Sequence, residues 1–170
     1  MAAEPEEALR DEASGFATYL SFLRESIAEA VLALSTEEQR TTRLASGWTP
    51  IELLSHVLHM ERRWFVWGFL GESVAEPWGD WNVDEPWDEG VEGRWQVAED
   101  ATAEAYADRL EAIGERTRDV LASYPLDAVG STEGRFAEDP PTLEWICFHV
   151  LAEYARHAGH LDVVVELGDG

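Results

Sequence analysis

Four long stretches of this chain carry apolar residues at helical spacing, and none shows the alternation of a half-buried strand. The first runs from about Glu6 to Leu34, with Phe16, Tyr19, Leu20, Leu23, Ile27, Val31 and Leu34 on one stripe. The second runs from Pro50 to about Leu70 and stops at Gly71. The third spans about Thr102 to Ser123, closed by Pro125, and the fourth about Thr142 to Leu167, ended by Gly168. The triplet Val163-Val164-Val165 lies inside a helical pattern, so no sheet is expected. With 170 residues the chain is long enough to bury one core without disulfide or metal staples. The expectation is a single all-α domain over residues 1–170, a four-helix bundle with a long connection between its second and third helices.

The sharpest local signal is Trp48-Thr49-Pro50-Ile51-Glu52. Thr stands at the N-cap, Pro at the first helical position and Glu at the third, the pattern of a capping box. Ser35-Thr36-Glu37-Glu38 reads as a second, shorter start. Between the second and third helices, residues 72–100 crowd acids around Trp78, Trp81, Trp87 and Trp95. A loop of this length in a compact domain is usually functional. Its tryptophans are expected to pack as a lid over one end of the bundle. The competing reading makes them anchors for a protein partner.

Twelve Lys plus Arg, all of them Arg, face 35 Asp plus Glu, for a net charge of −23. Such a surface repels a phosphate backbone and an anionic membrane, so neither nucleic acid nor membrane is an expected partner. The acidic start at Met1–Glu7 is unlike a signal peptide, and no apolar run is long enough to cross a bilayer. Cys147 stands alone, which excludes an internal disulfide and a CxxC motif and suits a reducing cytoplasm. A small molecule is the expected partner, and a homodimer stays open.

All five histidines fall on two of the helices. His149, Glu153, His157 and His160 succeed one another at spacings of four, four and three, sharing a face of the fourth helix. His56 and His59 are three apart on the second. A Glu and a His one turn apart, joined by a His from a facing helix, make a three-ligand metal site with open positions. Spacing alone leaves ordinary helix-surface pairing as the competing reading. His149 and His59 read as packing or supporting residues, and Cys147 as a small buried hydrophobe.

The segment from Gly47 to His56 resembles the W-[ST]-x-x-E-x-[LI]-x-H start of helix two in the DinB/YfiT-like superfamily. Glu153-Tyr154-Ala155-Arg156-His157-Ala158-Gly159-His160 resembles its fourth-helix segment. Glu61-Arg62-Arg63-Trp64-Phe65, with the Trp-rich stretch behind it, is similar to the actinobacterial mini-circle protein branch. The resemblance implies a bundle holding one divalent metal through His56, Glu153 and His157. The Glu at position 153 resembles the form in mycothiol-dependent maleylpyruvate isomerase, a zinc enzyme of the superfamily.

The function this resemblance implies is that of a metal-dependent S-transferase. A mycothiol-like thiol co-substrate would attack an electrophilic small molecule, a chemistry suited to stress response or detoxification. Zinc or nickel suits such a nitrogen and carboxylate set. Arg156, with Arg62 and Arg63 beside it as candidates, is expected to hold an anionic part of the thiol, and His160 to move protons. For each Arg the plainer expectation is a salt bridge on an acidic surface. Two alternatives stand: a metal-dependent hydrolase, and a non-enzymatic bundle that binds metal or a partner.

Overall fold

A computed structural model describes residue 5 and residues 11–168. Every regular element in them is helical, and β pairing is limited to two isolated bridges. The chain forms α1 (Glu12–Leu32), the short α2 (Thr36–Gln39), α3 (Pro50–Arg62), α4 (Ala103–Ser123) and α5 (Leu143–Glu166). The expected start of the first helix at Glu6 lies outside the described residues. No helix among the described residues is long and apolar enough to cross a membrane.

Side chains cap α1, α4 and α5, the last two where the sequence placed them. Asp11 accepts the N–H of Ser14 at 2.8 Å, and Thr102 and Thr142 accept those of Ala105 and Trp145. At α3 the Glu52 carboxylate accepts from the N–H and the hydroxyl of Thr49, at 2.8 and 2.9 Å. The expected continuous helix to Leu70 is corrected in its last third. Beyond Arg62 the chain winds on as a π-helix over Arg63–Phe69, and Leu70 N–H reaches back to the carbonyl of Phe65. Gly68 sits on that turn, where a Cβ would come 2.8 Å from the Phe136 ring. Gly71 comes next with φ +72°, a conformation that favours glycine.

α1 packs on α4 and α5, and α3 packs on the same two helices. The core they enclose is built from Leu20, Ile27, Leu54, Leu58, Leu110, Ile146 and Val150. Arg24 interrupts the apolar content of this core. It is 2% exposed and donates to Glu61, itself fully buried, through Nε at 3.1 Å and Nη2 at 2.6 Å. Thr117 and Tyr154 also donate to Glu61, so the carboxylate is saturated. Gly114 leaves the space that the Arg24 guanidinium fills, since a Cβ there would lie 2.6 Å from its Cζ.

α3 is buried on nearly every side, from Ile51 to Glu61. Helices cover part of it, and the segment between α3 and α4 covers the rest. Trp81 and Trp95 form an antiparallel bridge, supported by Asn82 N–H to Arg94 O and Gln96 N–H to Asp80 O. That pairing lays Asp80 and Trp95 against α3. The lid expectation holds for Trp78, which is buried, and for Trp81 and Trp95, which are half-buried. It is corrected for Trp87, which is 62% exposed and meets the rings of Trp78 and Trp81 in T-shaped contacts at 5.1 and 5.7 Å.

Candidate metal centre

His157 belongs to the buried stripe of α5, between Tyr154 and Leu161, while Glu153 stands one turn before it and is half-buried. His56 faces them from α3. The structure brings the three together, with one ligand atom from each lying within 4.8 Å of the others. The two imidazole centroids are 4.9 Å apart, and a Glu153 carboxylate oxygen is 3.4 Å from His157 Nε2.

Two of the three groups, His56 and Glu153, carry the protonation that metal ligation needs. Burial pushes His56 down to about 4, so its ring is neutral at pH 7. The His157 hydrogen bond pulls Glu153 down to about 2, so it is a carboxylate. His157 Nδ1 is buried and has no hydrogen-bond partner. An unpaired buried ring nitrogen costs about 1–3 kcal/mol, and a cation bound at that nitrogen would remove such a deficit. Two imidazoles and one carboxylate suit zinc or nickel, so these residues fit a divalent ion.

Sequence reasoning misses Asp80. It is fully buried, and its Oδ2 accepts from His56 Nδ1 at 2.8 Å. A carboxylate opposite Nδ1 holds the proton there and leaves the Nε2 lone pair for the metal. Arg63 grips the same carboxylate through Nη1 at 2.5 Å and Nη2 at 3.0 Å. These donors keep Asp80 below the usual carboxylate range against the opposing effect of its burial. Only the acid-rich composition of residues 72–100 hints at such a residue. Trp95 stacks on His56 at 4.2 Å, and the Trp81 ring lies 6.0 Å from it.

The remaining candidates lie around this centre. Arg156 is 63% exposed and pairs with Glu153 at 3.3 Å. His160 is exposed, with its ring 5.9 Å from that of His157 and outside the three-residue cluster. His149 is drawn away into a stack, 5.1 Å from Trp145 and 4.3 Å from Trp64. Arg63 is no free anion holder, because Asp80 occupies it. Arg62 donates to the carbonyl of Glu76 at 2.8 Å. Cys147 is fully buried, and burial pushes its thiol up to about 12, which makes it inert.

The family model described as mycothiol-S-transferase matches residues 15–170, from the first turn of α1 through α5. No curated protein and no solved structure matches the chain.

Proposed function

The chain belongs to the mycothiol S-transferase family of the DinB/YfiT-like superfamily, and from that premise we propose a metal-dependent transferase that joins a mycothiol-type thiol to an electrophilic small molecule. The metal part rests on one observation: His56, Glu153 and His157 converge, with Asp80 behind His56. We read α1, α3 with its π turn, α4 and α5 as the four-helix bundle that frames them, with residues 70–102 as the long connection.

A divalent cation held by those three residues supplies positive charge that lowers the pKa of a thiol or water. The chain's own groups do the rest. Asp80 holds His56 in one tautomer, and Trp95 covers the outer face of that ring and excludes water. Arg156 offers a guanidinium at the open side of Glu153 for an anionic part of the thiol. His160 accepts the thiol proton at a ring nitrogen as the sulfur attacks. The new bond is sulfur to electrophilic carbon, and the displaced electron pair leaves with the leaving group or is protonated from the imidazolium. Joining a thiol to an electrophile is detoxifying chemistry. The charge of −23 and the lone Cys147 support a cytoplasmic protein without nucleic-acid or membrane partners.

The test uses untagged protein, with its metal content measured by elemental analysis. Conjugation of mycothiol to monobromobimane is then monitored before and after chelation. Conjugation that falls on chelation and returns with zinc or nickel supports the proposal. Equal rates with and without metal would sink it, and turnover of esters without any thiol would favour a hydrolase.

A further inference from the structure

The loop between α4 and α5 folds back on the π turn. Arg135 N–H donates to the Trp67 carbonyl at 3.1 Å, and Ser131 N–H to that of Phe69 at 2.9 Å. Gly134 permits this approach, since a Cβ there would fall 1.9 Å from the Trp67 carbonyl oxygen. The Arg135 guanidinium is thereby laid over the Trp64 ring, with Cζ 4.1 Å from its centroid.

This guanidinium has no counter-ion among the described residues. The chain carries 35 acids, and Glu133, Glu138 and Asp139 stand within four residues of it on the same loop. None of them pairs with it. Its Nη1 is buried without a hydrogen-bond partner, while the side chain as a whole is half-buried. Burial and the charge of Arg63 lower it to about 10, so it is a cation at neutral pH. The ring beneath it offsets part of the desolvation but gives its N–H groups no oxygen to donate to.

The same Trp64 ring carries His149 of α5 at 4.3 Å, and Trp145 lies parallel to that imidazole at 5.1 Å. Trp145 is 48% exposed, and His149 is half-buried with neither ring nitrogen in a hydrogen bond. Aromatic faces, a free imidazole and an unpaired guanidinium therefore share one rim. His149 sits one turn before Glu153 of the metal triad.

The unmet groups select the ligand. A cation would be repelled by Arg135. A neutral aromatic would cover the rings and leave the guanidinium unpaired. A planar aryl carboxylate satisfies both, with its ring on the exposed aromatic faces and its oxygens on the guanidinium fork.

We propose that the rim of Trp64, Trp145, His149 and Arg135 binds a planar aryl carboxylate. Resting on the transferase reading in this one respect, that ligand is the electrophile, held one helical turn from the metal centre.

The test is a calorimetric titration of the full chain, as purified, with naphthoate, naphthamide and naphthylmethylamine. Naphthoate is expected to saturate with Kd on the order of 1 mM, and the amide and the amine to bind about tenfold more weakly for want of a charge-assisted hydrogen bond. Arg135→Gln weakens naphthoate about tenfold. Trp145→Ala, at an exposed position where folding is not at stake, weakens it severalfold. His157→Ala binds naphthoate like the parent, because the carboxylate is not on the metal. The site is refuted if naphthoate does not saturate, if the amide or amine binds as tightly, if Arg135→Gln and Trp145→Ala both bind like the parent, or if His157→Ala loses binding. Bromomethylbenzoate and its amide, offered with mycothiol, test the electrophile role, the thiolate sulfur displacing bromide from carbon. The anion is expected to react about tenfold faster in kcat/KM, and equal rates with naphthoate binding intact overturn that role. No conjugation of either compound counts against the transferase reading, while naphthoate binding still upholds the site.

Discussion

Replacing Asp80 with Asn separates orientation of the metal centre from stability of the fold. The carboxylate is fully buried and receives three hydrogen bonds, one from His56 and two from Arg63, at 2.8, 2.5 and 3.0 Å. Asn keeps the shape, loses the charge and offers one acceptor oxygen where three donors converge. Arg63, 1% exposed, is then a buried cation without a counter-ion. Breaking a buried pair in this way costs about 3–5 kcal/mol, a large share of the roughly 5–15 kcal/mol that holds a domain together. Freeing the His56 tautomer adds a loss of about 10–100-fold in metal affinity. Urea unfolding monitored by circular dichroism reads the first effect, and competition for zinc with a chromogenic chelator reads the second. Arg63→Met is the control. It strands the Asp80 charge and lowers stability by a similar amount, yet leaves the carboxylate on His56 Nδ1, so zinc affinity is retained. If Asp80→Asn binds zinc within about twofold of the parent, the orienting role assigned to this carboxylate is wrong. If Arg63→Met loses as much zinc affinity as Asp80→Asn, the effect belongs to the charge network and not to the tautomer.

His157→Ala is expected to abolish metal binding with helix content unchanged, as read by elemental analysis and circular dichroism; full metal occupancy in the variant would refute the ligand assignment. Glu61→Gln leaves Arg24 buried without its counter-ion and weakens the bonds from Thr117 and Tyr154. A loss of about 3–5 kcal/mol in urea unfolding is expected, and a loss under about 1 kcal/mol would show the network to be dispensable. Burial holds both His56 and His59 at about 4, below the unfolded value near 6.5. Between those two values the unfolded chain binds more protons than the folded one, so their contribution is complete above about pH 6.5 and is lost as pH falls towards 4. Two such groups give a slope of up to about 2.7 kcal/mol per pH unit. Metal-free protein in high salt, which screens the acidic surface, is the sample to titrate; flat stability between about pH 4.5 and 6.5 would contradict neutral burial of these rings.

The helical class, the starts of α3, α4 and α5 and the residue types of the candidate centre were legible in the sequence because they depend on short-range rules. A helical stripe, a Thr-Pro-x-Glu cap and a Glu one turn before a His each arise from 3.6 residues per turn. Arg24 shows where such reading slips. Leu20, Arg24, Ile27 and Val31 share one buried stripe, but hydrophobicity alone favours Leu23 over an Arg for the same stripe. The spacing was there, and the missing information was the Glu61 carboxylate that makes a buried guanidinium tolerable.

By itself the sequence determined that this chain is helical, where α3, α4 and α5 begin, and that its histidines lie on two helices. Tertiary structure alone decided that His56 meets Glu153 and His157 while His149 is drawn off to Trp64 and Trp145. It also decided that Asp80, out of many acids in one segment, is the one folded under α3. The physical reason is range. Capping and periodicity act within about one or two turns, whereas these contacts join positions 24 and about a hundred residues apart and depend on which helix faces pack together. The π turn after Arg62 belongs with them, since its register is set by the packing of Gly68 against Phe136 and of Arg63 against Asp80.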